Sequence, residues 1–280
     1  MTKIKLQEWM DGAICSLENS ETPFLEVQVI CASVLGKTRE WILSHNELEL
    51  GKDQVEQLNV LVTRLKNGEP LAYLTGQRSF YGLDFKVSPD VLIPRPETEL
   101  LVEEAAAWLE ENPHRRKAVD VGTGSGIIAI TLADLCADLE MTAIDVSEKA
   151  LAVAQENARQ HQLEERIRWE QGDLLSQQSG PFDLILANLP YIPTSTLNQL
   201  DVIKFEPRLA LDGGANGLIF IEQLLSQAVT RLLPGGAIFL EIESTLGEET
   251  LKLCQTIFPE AKTHLFYDFA QLARVIRIEI

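Results

Sequence analysis

Apolar residues along the first 75 positions recur at helical spacing. Thr22-Pro23 followed by Phe24, Leu25, Val27, Ile30 and Val34 reads as an N-cap, a proline at the first helical position and a largely helical apolar stripe. Gly36 stands where a helix commonly closes. Asp53 is placed to cap a further helix carrying Val55, Leu58, Leu61, Val62 and Leu65, which ends at Asn67-Gly68. The spacing predicts a small helical bundle.

The period then changes. Phe80-Tyr81-Gly82-Leu83-Asp84-Phe85-Lys86-Val87 sets aromatic and β-branched residues around a glycine, predicting a hairpin within 79–93 that links two domains. Pro94 and Pro96 stop the strand, and Pro96 is placed to open a helix carrying Leu100, Leu101, Ala105 and Leu109. From Lys117 onward, short apolar strands alternate with helical segments. The strands expected are 118–121, 141–145, 167–170, 182–187 and 236–241, the last after the Pro234-Gly235 turn, with 264–267 and 274–278 as a closing antiparallel pair. Such alternation predicts right-handed β-α-β units in an α/β, doubly wound, seven-stranded sheet. The domains expected are a helical bundle over 1–78, the hairpin over 79–93 and the α/β domain over 94–280.

Charge refines this picture. Of a net −18, residues 1–88 contribute −3 (9 Lys and Arg, 12 Asp and Glu) and residues 89–280 contribute −15 (15 against 30). A nucleic-acid binder needs cations to neutralise phosphates, so the α/β part is expected to make no direct contact with nucleic acid. No apolar run approaches the roughly 20 residues of a membrane span, and residues 1–8 lack the apolar core of a secretory signal. A cytoplasmic protein with no membrane attachment is expected. The four cysteines are scattered among apolar residues without a C-x-x-C pair, as expected of buried thiols in a reducing compartment. The four isolated histidines offer no ligand cluster, so no metal is expected.

Three strand ends carry candidate chemistry. The first strand runs into Gly122-Thr123-Gly124-Ser125-Gly126 ahead of Ile127, Ile130 and Leu132. Glycines permit a tight turn close to a ligand, and the helix start that follows favours a negative group. The third glycine comes one position too early for the dinucleotide fingerprint, and no Lys-Ser/Thr follows as a phosphate loop would require. Asp145 ends the second strand, where a carboxylate can accept from both ribose hydroxyls. It can equally serve as a helix cap beside Ser147. Asp173, after the third strand, is placed to accept from an adenine amino group while Leu174 packs on the ring. Together these imply a nucleoside-type cofactor. The fourth strand runs into Asn188-Leu189-Pro190-Tyr191. Asn188 offers a side-chain acceptor and Pro190 a carbonyl with no N–H, which suits a target nitrogen bearing two hydrogens; Tyr191 can cover its flat face.

That loop resembles the N-P-P-Y motif of methyltransferases acting on planar nitrogens. Further motifs narrow the resemblance to the release factor glutamine methyltransferases, the HemK/PrmC family. They are Leu35-Gly36-Lys37-Thr38-Arg39, Pro70-Leu71-Ala72-Tyr73-Leu74-Thr75-Gly76, Phe80-Tyr81-Gly82-Leu83, the run Val91-Leu92-Ile93-Pro94-Arg95-Pro96-Glu97-Thr98-Glu99, and Phe205-Glu206-Pro207-Arg208-Leu209-Ala210-Leu211 followed by Gly213-Gly214 and Gly217-Leu218. The resemblance spans nearly the whole chain. It implies a Rossmann-like methyltransferase sheet and methyl transfer from S-adenosylmethionine to the glutamine of the G-G-Q motif in class 1 peptide chain release factors, in support of translation termination. It makes Asn188, Pro190 and Tyr191 catalytic, Asn188–Tyr191 substrate-binding, and Gly122–Gly126, Asp145, Asp173, Leu174 and Asn188 cofactor-binding. The helical domain, which holds none of the cofactor motifs, is expected to recognise the protein substrate. Two positions depart from the family: Leu189 replaces a proline, and Glu243 replaces the glycine of E-I-G. N-L-P-Y also occurs in ribosomal RNA adenine dimethyltransferases, so a nucleic-acid adenine methyltransferase is the alternative. A non-catalytic binding module would not need these motifs, and the glycine spacing argues against a nicotinamide dehydrogenase.

Overall fold

A computed structural model describes residues 4–178 and 180–280. Residues 1–3, part of the start read above for a secretory signal, lie outside the described residues. The chain divides into two compact units, one ending at Gln77 and the other beginning at Arg78.

The first unit holds five helices, α1 (Leu6–Ser16), α2 (Pro23–Leu35), α3 (Arg39–Ser44), α4 (Lys52–Lys66) and α5 (Leu71–Thr75), and an antiparallel pair, β1 (Ile4–Lys5) with β2 (Glu49–Leu50). Its core gathers Leu6, Trp9, Val27, Ile30, Ile42 and Leu58. Helix α2 starts and stops where its sequence predicts: Pro23 is the first residue, and Gly36 closes it at φ 60° with its N–H on Ala32 and Ser33 carbonyls. Helix α4 begins one residue before Asp53. Its cap is Gly51, whose N–H donates to Gln54 Oε1 at 2.9 Å, and Asp53 sits in the first turn, where a carboxylate meets the positive helix end. The β1–β2 pair is too short for apolar alternation to reveal it.

The second unit opens with a hairpin, β3 (Gln77–Phe80) and β4 (Leu83–Lys86). Its two-residue turn places Tyr81 (φ 50°) and Gly82 (φ 77°) in the left-handed region, which matches the twist of paired strands. The expected hairpin extended to 93. Instead, residues 87–97 form an irregular strip with Val87, Val91 and Ile93 buried. Helix α6 (Thr98–Glu111) starts two residues beyond Pro96, because Thr98 N–H already closes a turn onto the Arg95 carbonyl.

The remaining elements are β5 (Lys117–Val121), α7 (Ile127–Leu135), β6 (Glu140–Asp145), α8 (Glu148–Gln160), β7 (Ile167–Gln171), β8 (Phe182–Ala187), α9 (Thr194–Leu197), α10 (Ile219–Ala228), β9 (Leu232–Glu241), α11 (Gly247–Ile257), β10 (Lys262–Tyr267) and β11 (Ala273–Glu279). They build the seven-stranded sheet, in the order β10-β11-β9-β8-β5-β6-β7. β5 to β9 run parallel, while β11 pairs antiparallel with β9 and β10. The expected Pro234-Gly235 turn lies within β9, where the pairing with β8 skips register. One face of the sheet packs on α6 and α7, the other on α10 and α11. Adjacent strand residues face opposite sides, so Ala118 joins the first core and Val119 the second. From β5 the chain steps outward through β6 and β7, then returns to β8 on β5's other flank. That reversal is where doubly wound sheets open a crevice at their carboxyl ends.

Cysteine burial is mixed. Cys31 and Cys254 are buried, and burial pushes each thiol up to about 12. Cys15 is exposed, off the stripe of Leu6, Trp9, Met10 and Ala13 that α1 buries, and Cys136 is half-buried at the C-terminal cap of α7. No described helix is long and apolar enough to cross a membrane.

Candidate active site

The crevice holds a cavity of 230 Å³ reached by the ends of β5, β6, β7 and β8: Gly122, Asp145, Asp173 and Asn188 all line it. The expected residues Thr123, Gly124, Ser125, Leu174, Leu189 and Pro190 line it too, whereas Gly126 and Tyr191 do not.

The glycine turn is held from below. Gly122 and Thr123 N–H groups both donate to the Ile144 carbonyl, at 2.8 and 2.9 Å, which ties the loop to the neighbouring strand. Gly122, Gly124 and Gly126 have φ of 75°, 56° and 84°, a region L side chains rarely adopt. Their needs differ. A Cβ on Gly126 would stand 2.8 Å from Ile130 Cδ1 and 3.1 Å from Ala154 Cβ, so this glycine lets α7 approach α8. A Cβ on Gly122 would stand 3.1 Å from Leu189 Cδ2, so the turn and the Asn188 loop are packed side to side.

Asp120 holds the turn from within the core. It is 0 % exposed and points at α7, where Thr123 hydroxyl donates to its Oδ2 at 2.6 Å and Ala129 N–H at 3.2 Å. Its Oδ1 has no partner among the described residues. Burial pushes its carboxyl up to about 7. Asn157, also fully buried, accepts from Lys86 N–H at 2.7 Å and donates to the carbonyls of Lys86 (3.0 Å) and Ser125 (2.8 Å), joining the hairpin to the turn.

Asp145 does two things at once. Its Oδ2 accepts from Gly124 N–H at 2.9 Å and its Oδ1 from Ser147 N–H at 2.8 Å. Ser147, not Asp145, caps α8, accepting from Ala150 N–H at 3.2 Å. Each carboxylate oxygen keeps a further lone pair, and the side chain faces the cavity. Burial raises its pKa, and those backbone N–H groups hold the rise back. Asp173 is exposed at the cavity's rim, and Leu174 beside it is buried with φ 51°. A pair of acceptors on β6 and β7, an apolar Leu174 and a turn pinned by backbone bonds fit a nucleoside carrying hydroxyl and amino donors. A diphosphate fits less well, since the 122–126 turn holds no lysine or arginine and Arg95, the one cation lining the cavity, is paired with Glu206.

Also lining the cavity, Asn188 donates from Nδ2 to Thr98 Oγ1 at 3.2 Å. Behind them lies Glu241, 3 % exposed, whose carboxyl burial pushes up to about 7 while hydrogen bonding from Thr98 and Asn188 holds it down. Tyr191 lies within electrostatic range of Glu241, Arg95 and Arg274, and burial raises its pKa, so it stays a neutral phenol. Leu189 is 4 % exposed and belongs to the sheet's second core. Replacing the family proline therefore adds packing rather than slack. Glu243 turns away and accepts from Thr245 N–H at 2.7 Å and from the hydroxyls of Ser244 and Thr245, capping its own short turn. The strand end is not repacked by it.

Sequence reasoning missed four supports of this site: Asp120, Asn157, Thr98 and Glu206. Glu206 is buried, accepts from Ile93 N–H at 3.1 Å and pairs with Arg95. It thereby fixes the 87–97 strip, whose Pro89, Val91, Leu92 and Pro94 form a cavity wall. Thr98 and Glu206 stand inside the quoted motifs, where they marked a resemblance without a role. Asp120 carried a signal of its own, a charge on the core-facing side of a buried strand.

The sequence model of the methyltransferase small domain matches residues 96–205, and that of the PrmC N-terminal domain matches residues 8–76. The release factor glutamine methyltransferase of Escherichia coli (strain K12) is 41% identical over 248 residues, covering 88% of each chain. That of Moorella thermoacetica is 40% identical over 252 residues, covering 89% of each. Among solved structures, a methyltransferase from Pyrococcus furiosus aligns with a TM-score of 0.51 at 20% identity, covering 71% of this chain and 89% of that one, a likeness of fold alone. Relatives this similar over this much of the chain place it in a family: the protein belongs to the release factor glutamine methyltransferases.

Proposed function

We propose that the protein transfers a methyl group from S-adenosylmethionine to the side-chain amide nitrogen of the glutamine in the G-G-Q motif of class 1 peptide chain release factors, supporting translation termination in the cytoplasm. The observation that carries the reading is one cavity lined both by the acceptors Asp145 and Asp173 and by Asn188 with Pro190. When bound, S-adenosylmethionine supplies a methyl group made electrophilic by its sulfonium charge. Asp145 has lone pairs left for the ribose hydroxyls, Asp173 is placed for the adenine amino group and Leu174 for the ring. In the 122–126 turn the N–H groups of Gly122, Thr123, Gly124 and Gly126 already bond to Ile144, Asp145 and Thr123, so it is Ser125 N–H that is placed to meet the cofactor's carboxylate.

An amide nitrogen is a weak nucleophile because its lone pair is delocalised, so the enzyme must work by alignment and by polarising the N–H bonds. Asn188 Oδ1 and the Pro190 carbonyl accept the two amide hydrogens, which holds the nitrogen with its face toward the methyl group. Tyr191, which follows this pair and stands outside the cavity lining, supports this edge as a neutral phenol kept from ionising by burial. The helical unit, residues 1–78 in this assignment, recognises the release factor.

A methyl-transfer assay with labelled cofactor, offering release factor, DNA and ribosomal RNA in parallel, tests the reading. Label in the release factor glutamine alone is expected. Label in nucleic acid with none in that glutamine refutes it.

A further inference from the structure

Asn188 has an ambiguity built into its shape. Its side-chain amide has a donor end and an acceptor end of nearly equal size, and only the acceptor suits an incoming N–H. Thr98 alone cannot settle which end faces the cavity, since a hydroxyl both donates and accepts. What lies behind Thr98 can settle it. Glu241, at the end of β9, is 3 % exposed and forms no part of the cavity lining. Its Oε2 has no partner among the described residues, yet both Thr98, 0 % exposed, and Asn188 hydrogen-bond its carboxyl. Ionised, that carboxylate can only accept. It therefore receives a hydrogen bond from the Thr98 hydroxyl. That leaves Thr98 Oγ1 as an acceptor for Asn188 Nδ2, the 3.2 Å contact observed.

We propose that Glu241 is a positioning residue for methyl transfer: directly and through Thr98 it fixes the donor end of Asn188 inward, so that Oδ1 faces the target amide. The inference rests on the reading of Asn188 as the group that holds that amide. Protonating Glu241 would make it a donor and erase the polarity of the chain. The charged and titratable groups facing this corner are Glu97 and Arg95 before α6, Tyr191 after Asn188, and Arg274 on β11. Glu97 favours protonation of Glu241 and Arg274 opposes it. Turnover should accordingly fall as pH drops toward the acid side of neutrality.

The test measures kcat, KM for release factor, cofactor affinity, melting temperature and the pH profile of Asn188→Ala, Glu241→Gln, Thr98→Val and Thr98→Ser. Glu241→Gln is nearly isosteric but can donate. It should lower kcat about tenfold, leave cofactor affinity and melting temperature at pH 8 undiminished, and remove the acid limb of the profile. Thr98→Val, which leaves the direct Asn188–Glu241 bond, should lose part of that, Thr98→Ser should recover most of the Thr98→Val loss, and the Glu241→Gln/Thr98→Val double variant should be no worse than Glu241→Gln alone. Should Glu241→Gln fail to fold, the two Thr98 variants decide. If Asn188→Ala leaves kcat intact, the underlying reading of the site is wrong. If Asn188→Ala cuts kcat while Glu241→Gln keeps both kcat and the acid limb, Asn188 stands and the positioning role falls. Equal losses of stability and cofactor affinity in Glu241→Gln would mark a purely structural residue and likewise overturn it.

Discussion

Asp120→Asn tests the energetics under the glycine turn. In the folded protein the Asp120 carboxyl is raised from 3.8 to about 7, chiefly by burial, with Asp145 adding repulsion and the Thr123 and Ala129 donors opposing it. A raised acid takes up a proton in the folded state at pH values where the unfolded chain has already lost it. The folded form is therefore favoured at low pH, and that advantage drains as pH climbs from about 4 to about 7. At roughly 1.4 kcal/mol per tenfold change in proton affinity, the whole span is worth about 4 kcal/mol. About 2 kcal/mol of it falls above pH 5.5, clear of the sequence pI near 4.6, where low net charge promotes precipitation.

Asparagine keeps the carbonyl oxygen that accepts from Thr123 and Ala129 and does not titrate. The variant's unfolding free energy minus that of the unmodified protein should thus rise by about 2 kcal/mol between pH 5.5 and 8.5. Hydrogen exchange of the β5 and β8 amides is the suitable assay, because it follows the sheet alone, whereas tryptophan fluorescence mixes Trp9 and Trp41 with Trp108 and Trp169. Glu241, also raised, contributes equally to both proteins and cancels. A pH-independent difference would show that Asp120 stays ionised or neutral throughout, and the argument from burial would be wrong.

Asp145→Ala should weaken cofactor binding by about 1.5–3 kcal/mol, the scale of hydrogen bonds to a charged group; calorimetry showing unchanged affinity would reduce Asp145 to a support for Gly124 and Ser147. Asn157→Ala removes one acceptor and two donated bonds from buried backbone, so it should destabilise the second unit by about 2–4 kcal/mol, read by urea denaturation. Gly126→Ala sets a methyl group 2.8 Å from Ile130 at φ 84° and should cost at least about 1–3 kcal/mol, again by urea denaturation, while Gly12→Ala, with nothing within 4 Å of its Cβ, should not destabilise.

The α/β architecture was legible because its signals are local. Each buried strand is a short apolar run, each crossover a helical stripe, and each ligand-facing turn a change of composition at a strand's end. The helix boundaries at Pro23 and Gly36 were equally readable, since their backbone demands travel with the residue type. What escaped reading depends on contacts between distant segments. Asn157 gives no sign in the sequence that it serves Lys86 and Ser125, 71 and 32 positions away. Glu206 reaches Ile93 across 113 positions. The 87–97 strip has strand-like residues yet pairs with no strand: Asp90 and Val91 N–H groups turn back onto Ser88, and Ile93 N–H goes to the Glu206 carboxylate.

The two departures from the family show how a fold decides what a substitution means. Read alone, leucine for proline at 189 suggests a looser backbone beside the reacting group. In place, its side chain fills the space beside Gly122, at the switch point where β5 and β8 diverge from the same crevice. Loosening at 189 would be felt first in the cofactor turn, not in the substrate. Glutamate for glycine at 243 suggests a crowded strand end, yet its carboxylate folds back onto Thr245 and leaves Glu241, two residues earlier on β9, in its buried corner with Thr98 and Asn188. Both changes are thus absorbed by their neighbours, and neither removes an acceptor from the Asn188-to-Pro190 edge. A glutamine amide needs that edge intact, and so does an adenine amino group. The family's substrate preference must therefore come from what presents the nitrogen to the cavity, which points away from the loop and toward the surfaces that receive the rest of the release factor.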